Sequence, residues 1–302
     1  MSDYTISGTA ANNQIRFFAA STKNLTQHAH EVHHTSPAVT VALGRLLTAG
    51  SLMGAMMKND DELLTLQIKG DGPVDGLTVT AFPDGSVKGF PFNPQAESDD
   101  PLKTYNIIGN GNLQIIKDIG LKEPYVGTSP LVTAEIAEDL TYYYAKSEQT
   151  PTSVALGLTL DENGNVEAAG GFIIQLMPDC DDDIIDRLEA SLSHSQSVTD
   201  MLKQGDSPEI IIQNLLGDLQ VTFNDKKDTI FKCNCSRDRV TRALISIGKK
   251  EIQSMIDEGH SIEMKCDFCN TSYIFEVPEL EVLLHELEKK ELNRFHIVDQ
   301  QP

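Results

Sequence analysis

The chain has 302 residues, 40% of them hydrophobic and 6% aromatic with no tryptophan, which is enough apolar material for a buried core and enough length for two domains or a large and a small one. Its formal net charge of −21 argues against partners built on a phosphate backbone. Residues 1–13 are polar and carry no secretory leader pattern, and the most apolar stretch, 39–57, is broken by Thr40, Arg45, Thr48 and Ser51, so it reads as a buried helix rather than a membrane span and a cytoplasmic protein is expected.

In chain order, 5–9 and 15–21 read as strands and 25–34 as a helix. Ser36 and Pro37 then open a second helix as N-cap and first residue. It runs through Leu43, Leu46, Leu47 and Met53 and is apolar on most faces, so it is expected at the centre of the fold. A meander follows: strands over 63–69, 77–82 and 87–90, turning at Gly70-Asp71-Gly72-Pro73 and Asp84-Gly85. Further strands fit 112–116, 153–160 and 166–176, the last two joined through Asn163-Gly164. The pattern predicts an α+β domain over 1–178, with a mostly antiparallel sheet and a central helix.

After Pro178 the chain turns acidic and helical, and 179–230 is expected as a helical, metastable linker. Ile184, Ile185, Leu188 and Leu192 form one apolar stripe. Ser207-Pro208-Glu209 starts a further helix that buries Ile211, Ile212, Leu215 and Leu216 and stops at Gly217. Such stripes must rest on a neighbour or stay marginal. A small C-terminal domain over 231–302 completes the chain: helices over 239–247 and 249–258 broken at Gly248, two short strands, and a terminal helix over 279–290 with Leu280, Leu283, Leu284 and Leu287 inward.

Cys233, Cys235, Cys266 and Cys269 stand in two close pairs, Cys-x-Cys and Cys-x-x-Cys, separated by thirty residues. Thiolates in such pairs suit one tetrahedral zinc ion. About sixty residues make a thin core, so the metal would decide whether this unit folds. Whether the zinc is a permanent staple or a removable one is open on spacing alone. Lys232, Arg237 and Lys265 are basic neighbours that favour thiolates. Residues 1–230 hold 14 Lys and Arg against 32 Asp and Glu, while 231–302 hold 10 against 13.

Other candidates read as structural. Cys180 lies among Asp179, Asp181, Asp182 and Asp183, which disfavour a thiolate, and is expected to be a bystander. His28, His30, His33 and His34 include helical ligand spacings, but packing or surface roles account for them better. Gly70-x-Gly72-x-x-x-Gly76 lies between strands and offers no helix N-terminus to an anion, so it reads as a hairpin turn. No nucleophile–base arrangement stands out, and no enzymatic activity is expected.

These cysteine pairs resemble those of the bacterial redox-regulated 33-kilodalton heat-shock chaperone family, as do Ala42-Leu43-Gly44-Arg45, Lys69-Gly70-Asp71-Gly72-Pro73, residues 89–94, Ser147-Glu148-Gln149-Thr150-Pro151, Gly170-Gly171 and Cys233-Asn234-Cys235-Ser236-Arg237. The similarity covers nearly the whole chain. It implies an ATP-independent holdase, inactive while reduced and bound to one zinc ion. Oxidation is then expected to form disulfides Cys233–Cys235 and Cys266–Cys269, expel zinc and unfold the C-terminal unit and linker. The activated form is expected to bind unfolding clients, form a homodimer and pass clients to ATP-dependent foldases. Disulfides within each pair close only tiny loops, so they would not replace a cross-link over thirty residues. Two rivals are weaker. A zinc-ribbon nucleic-acid adaptor conflicts with the charge, and a thiol–disulfide oxidoreductase needs its Cys-x-x-Cys at a helix start, not in a strand-flanked knuckle.

Overall fold

The computed structural model describes residues 2–298, so 299–302 of the expected C-terminal domain lie outside the described residues. The chain divides into two compact units between Lys232 and Cys233. The first begins with β1 (Tyr4–Ala10), β2 (Ile15–Ser21), α1 (Lys23–His33) and α2 (Pro37–Gly54). Next come β3 (Leu63–Gly70), β4 (Gly76–Ala81), β5 (Ser86–Pro91), α3 (Tyr105–Ile108), β6 (Gly111–Asp118), β7 (Tyr125–Pro130) and α4 (Ile136–Ser147). The hairpin β8 (Thr152–Leu160) and β9 (Val166–Leu176) precedes α5 (Asp182–His194), α6 (Val198–Lys203) and α7 (Pro208–Leu216), and β10 (Thr222–Asp228) and β11 (Ile230–Phe231) close the unit.

The strands make two sheets, ordered β10-β1-β2-β9-β8 and β11-β5-β4-β3-β6-β7, antiparallel throughout except where β11 runs parallel to β5. As expected, α2 is the centre. Ser36 caps it by accepting the Val39 amide, Pro37 holds its first position, and sixteen of its eighteen residues are buried. Leu43, Leu46, Leu47 and Leu52 pack against Phe18, Leu156 and Ile173 of one sheet and Leu64, Leu66, Val79 and Val87 of the other. The α+β, mostly antiparallel fold is thus the observed one.

Several elements differ from the sequence expectation. Strand β7 and helices α3 and α4 fall where no element was predicted. Within 179–230, only α5, α6 and α7 are helical, and the stretch ends in strand β10. Helix α7 ends at Leu216, so the stop falls where the sequence expects it, with Gly217 as C-cap. Gly217 stays right-handed (φ −54°) and opens a 3-10 turn over Gly217–Leu219, and the reversal falls on Gln220 at φ 56°. The apolar stripes find the neighbour they need. Leu188, Val198, Met201, Leu202, Ile211, Ile212, Leu215 and Leu216 are buried against Ile6, Ile15, Phe17, Phe172 and Ile174 on the outer face of the first sheet. Across that seam the Tyr4 hydroxyl donates to Glu209 Oε2 at 2.7 Å, and Lys226 Nζ pairs with Glu209 Oε1 at 3.2 Å while lying 3.5 Å from the Tyr4 ring centroid.

The second unit contains α8 (Arg237–Ser246), α9 (Lys249–Glu258), β12 (Ile262–Lys265), β13 (Ser272–Phe275) and α10 (Val277–Val298). Gly248 breaks the first two helices at φ 98°. The core is small: Leu244, Ile252, Phe275 and Leu280 are fully buried, with Leu283, Leu284 and Leu287 partly so. Arg237 braces it. Its guanidinium lies 4.6 Å from the Phe275 ring centroid and donates to Ile274 O at 2.8 Å and Glu279 Oε1 at 2.7 Å.

Candidate metal centre

The two cysteine pairs reach one point by different routes. Cys235 immediately precedes Ser236, which caps α8 by accepting the Arg239 amide, so Cys233 and Cys235 sit on the extended entry to that helix. Cys266 and Cys269 sit in the turn between β12 and β13. The amides of Cys269 and Asn270 both donate to Cys266 O, at 3.2 and 2.8 Å, and the Cys266 amide donates to Thr271 O at 3.0 Å. Asn270 takes the left-handed conformation (φ 54°) that the tight turn requires.

All four sulfurs lie within 4.8 Å of one another. Two separations that cross between the pairs are short: Cys233 Sγ to Cys266 Sγ is 3.6 Å and Cys235 Sγ to Cys269 Sγ is 3.4 Å. Sulfurs held about 2.3 Å from a tetrahedral ion stand roughly 3.8 Å apart, so the cluster has the size of a tetrathiolate cage. Its surroundings suit that role. The Tyr273 hydroxyl donates to Cys235 Sγ at 3.1 Å, and Thr271 Oγ1 lies 3.2 Å from Cys269 Sγ. Such outer contacts orient ligating sulfurs. Sequence reasoning passed over both residues. The only signal was that Thr271 follows Cys269 by two positions and Tyr273 by four.

The thiols are not equivalent. Burial pushes Cys233 and Cys266 up. Cys269 is drawn down to about 7: burial opposes this, but the Thr271 hydroxyl and amide and the adjacent Cys235 and Cys233 outweigh it. Four thiol donors converging at this spacing are a set that could hold a metal ion. Arg237, one expected source of positive charge, is committed to Phe275, Ile274 and Glu279 instead.

The other sequence candidates stay apart from this cluster. The Cys180 thiol, half-buried before α5, is pushed up by burial and by Asp181, Asp183 and Asp182. The histidines serve packing. The His28 ring meets Phe231 at 4.8 Å, His30 Nδ1 lies 3.1 Å from both Thr35 and Thr40 hydroxyls, and His33 Nε2 is 3.0 Å from Gly89 O. The Gly70–Gly76 loop is a turn seated on α3. The Gly72 amide donates to Ile108 O at 2.9 Å, and a Cβ at Gly70 would collide with that same oxygen. Among the described residues no helix is long and apolar enough to cross a membrane.

Comparison with known proteins agrees with this architecture. The Hsp33 protein family model matches residues 3–276. A "33 kDa chaperonin" of Agathobacter rectalis is 50% identical over 284 residues, covering 93% of this chain and 99% of the relative. One of Clostridioides difficile is 46% identical, covering 95% of this chain and all of the relative. The crystal structure of a 33 kDa chaperonin (heat shock protein 33 homolog) from Thermotoga maritima superposes with a TM-score of 0.89 at 31% identity, over 96% of this chain and all of that one.

Proposed function

The chain belongs to the Hsp33 family, and from that premise we propose that it is a redox-regulated, ATP-independent holdase acting in the cytoplasm. In the resting state Cys233, Cys235, Cys266 and Cys269 hold one zinc ion, which supplies the charge balance and cross-link that a thin four-residue core lacks. Oxidation converts each pair to a disulfide, Cys233–Cys235 and Cys266–Cys269. Two thiols lose two electrons and two protons to one peroxide, which leaves as two waters. The ligands are then gone, and neither disulfide spans the gap the metal closed.

The observation that carries this reading is the convergence of all four sulfurs within 4.8 Å, with Cys233 close to Cys266 and Cys235 close to Cys269 across the pairs. The fold of the second unit depends on links between the pairs, and oxidation within them removes those links. The C-terminal unit then loses structure, helices α5–α7 leave the first sheet, and the apolar seam around Ile211, Ile212 and Leu215 becomes available to unfolding clients. Homodimerisation of the oxidised form and transfer of clients to ATP-dependent foldases complete the cycle. The test is a peroxide titration that follows zinc release, suppression of client aggregation and disulfide mapping by mass spectrometry. Coincident zinc release and holding activity with the two local disulfides is the expected result. Disulfides between the pairs, or zinc retained at full activity, would refute it.

A further inference from the structure

The segment Thr222–Lys232 does something that neither sheet could do for itself: it blocks an edge of each. Strand β10 pairs antiparallel with β1 from Tyr4↔Asp228 to Thr9↔Thr222, and β11 then pairs parallel with β5. Along β10 all seven residues are exposed, and its Asn224-Asp225-Lys226-Lys227-Asp228 run is poor in strand formers and rich in charge. Main-chain bonds hold it far more than side-chain burial does. Charged edge strands of this kind prevent a sheet from adding foreign strands.

The crossing point between the sheets is held at Thr229. The Thr229 hydroxyl lies 3.1 Å from Thr5 Oγ1 and 3.0 Å from Ser51 Oγ. Thr5 and Ser51 also bond each other at 2.8 Å. When Thr229 leaves, the Thr5 and Ser51 hydroxyls still satisfy one another, and the main-chain oxygen of Asp3, which accepts the Thr229 amide at 3.0 Å, is the acceptor left for an incoming strand. At the other end of β10, Gly8 marks the register shift in β1, and a Cβ there would strike Thr222 O, so the strand pairing depends on a close backbone approach. The residue after Lys232 is Cys233, the first ligand of the candidate metal centre.

We propose that the β1 edge vacated by β10 is a docking site for an extended segment of an unfolded client, taken up by main-chain pairing as an added strand. The inference rests on the redox reading above, in which loss of structure from Cys233 onward frees the segment. The occupant follows from what the edge already holds: a seven-residue extended peptide recognised through its backbone, whose sequence matters little. Unfolded chains of many sequences present that group in common. An apolar side chain on the incoming strand would gain the place of Phe223, whose ring now meets Phe17 edge-on at 5.7 Å.

Amide hydrogen exchange of the full-length protein tests this directly, with chemically unfolded citrate synthase as the probe. In the reduced protein the β1 amides facing β10 are expected to be protected. Oxidation should remove that protection by at least an order of magnitude, and the unfolded probe should restore it. The Asn224→Val/Asp225→Thr variant, with a stronger strand at β10, should lose β1 protection more slowly on oxidation. Continued protection after oxidation would overturn the proposal, because the strap never leaves. So would β1 amides that stay exposed while the probe is held, since the client then sits elsewhere. Recovery that grows with chaperone concentration in the absence of probe would put a second copy on the edge and also overturn it. Failure of holding activity or zinc release would instead strike the redox reading itself.

Discussion

Cys233 Sγ stands 3.6 Å from Cys266 Sγ although thirty-three positions separate them, and beside that contact the two ends of the second unit are joined by Arg237 and a small apolar core. Its fully buried core is Leu244, Ile252, Phe275 and Leu280. Structural zinc in small domains is worth about 10–16 kcal/mol, far more than such a core can supply. Replacing Cys266 with Ser should therefore abolish stoichiometric zinc and expose the amides of α8 and α9 to rapid exchange. Cys180→Ser should change neither. Metal analysis alongside hydrogen exchange checks both, and a Cys266→Ser protein with one bound zinc and a protected α9 would contradict the assignment.

The docked helix α7 gives a second test. Ile211 and Leu215 are buried on the first sheet, whereas the neighbouring Ile210 is 46% exposed. Truncating a buried aliphatic to alanine costs about 2–5 kcal/mol, and an exposed one is usually within about 0.5 kcal/mol of neutral. Ile211→Ala and Leu215→Ala should loosen α5–α7 in the reduced state and lower the peroxide needed for holding activity. Ile210→Ala should do neither. Equal exchange rates in all three variants would mean that this seam does not hold the helices.

Asp3 supplies a pH signature. Its carboxylate is buried, accepts the Leu25 amide at 2.7 Å and the Asn24 side-chain amide at 3.1 Å, and so steadies the start of α1. Burial outweighs these bonds and pushes its pKa up from 3.8 to about 6. A carboxyl raised on folding binds more protons in the native state than in the unfolded one between those values. Its stabilising contribution is complete below pH 3.8 and is lost as pH rises through 6, by about 3 kcal/mol in all. Asp3→Asn keeps an acceptor and cannot ionise, so it should flatten the stability profile of the first unit between pH 4 and 7. Denaturation series at several pH values read the slope.

Arg45 and Glu135 form a half-buried ion pair at 2.9 Å that links α2 to the start of α4, with the Thr104 hydroxyl also donating to Glu135 at 3.1 Å. Burial lowers the Arg45 pKa and only partner interactions with Glu135 raise it. Removing one partner leaves a half-buried charge without its counter-ion, so Glu135→Ala should destabilise the first unit, by less than the about 3–5 kcal/mol of a fully buried pair. The double variant Arg45→Met/Glu135→Leu should recover most of that loss, and thermal melts of both proteins decide it. A double variant as unstable as the single one would show that the pair matters for more than charge balance.

Much of this was readable in the chain because the signals are local. Ser36-Pro37 begins a helix wherever it is placed, and the all-round apolar character of 37–54 can only be satisfied inside a core. Asn163-Gly164 makes a hairpin because Gly164 accepts a positive φ, here 84°. The cysteine pairs announce a shared ligand set by residue type and spacing alone. Helix α4 was not legible. Its stripe of Leu140, Tyr143 and Tyr144 is interrupted by polar residues, and its stability comes from packing on α2 and β8. Strand β10 was less legible still, since Asn224 to Asp228 has no strand propensity and exists as a strand only because the edge of β1 is there to receive it.

What the sequence by itself determined is the chemistry: four thiols in two close pairs, apolar helical stripes that require a surface, and a strongly acidic net charge. The tertiary structure decided how those parts are joined. It brought the four sulfurs within 4.8 Å of one another, it laid the stripes of α5–α7 on the outer face of the first sheet, and it turned a polar run into a strap over two sheet edges. The reason is physical. Donor type and periodicity are properties of a segment, whereas the proximity of Cys233 to Cys266 and of β1 to β10 depends on chain closure over long separations, which no local pattern encodes.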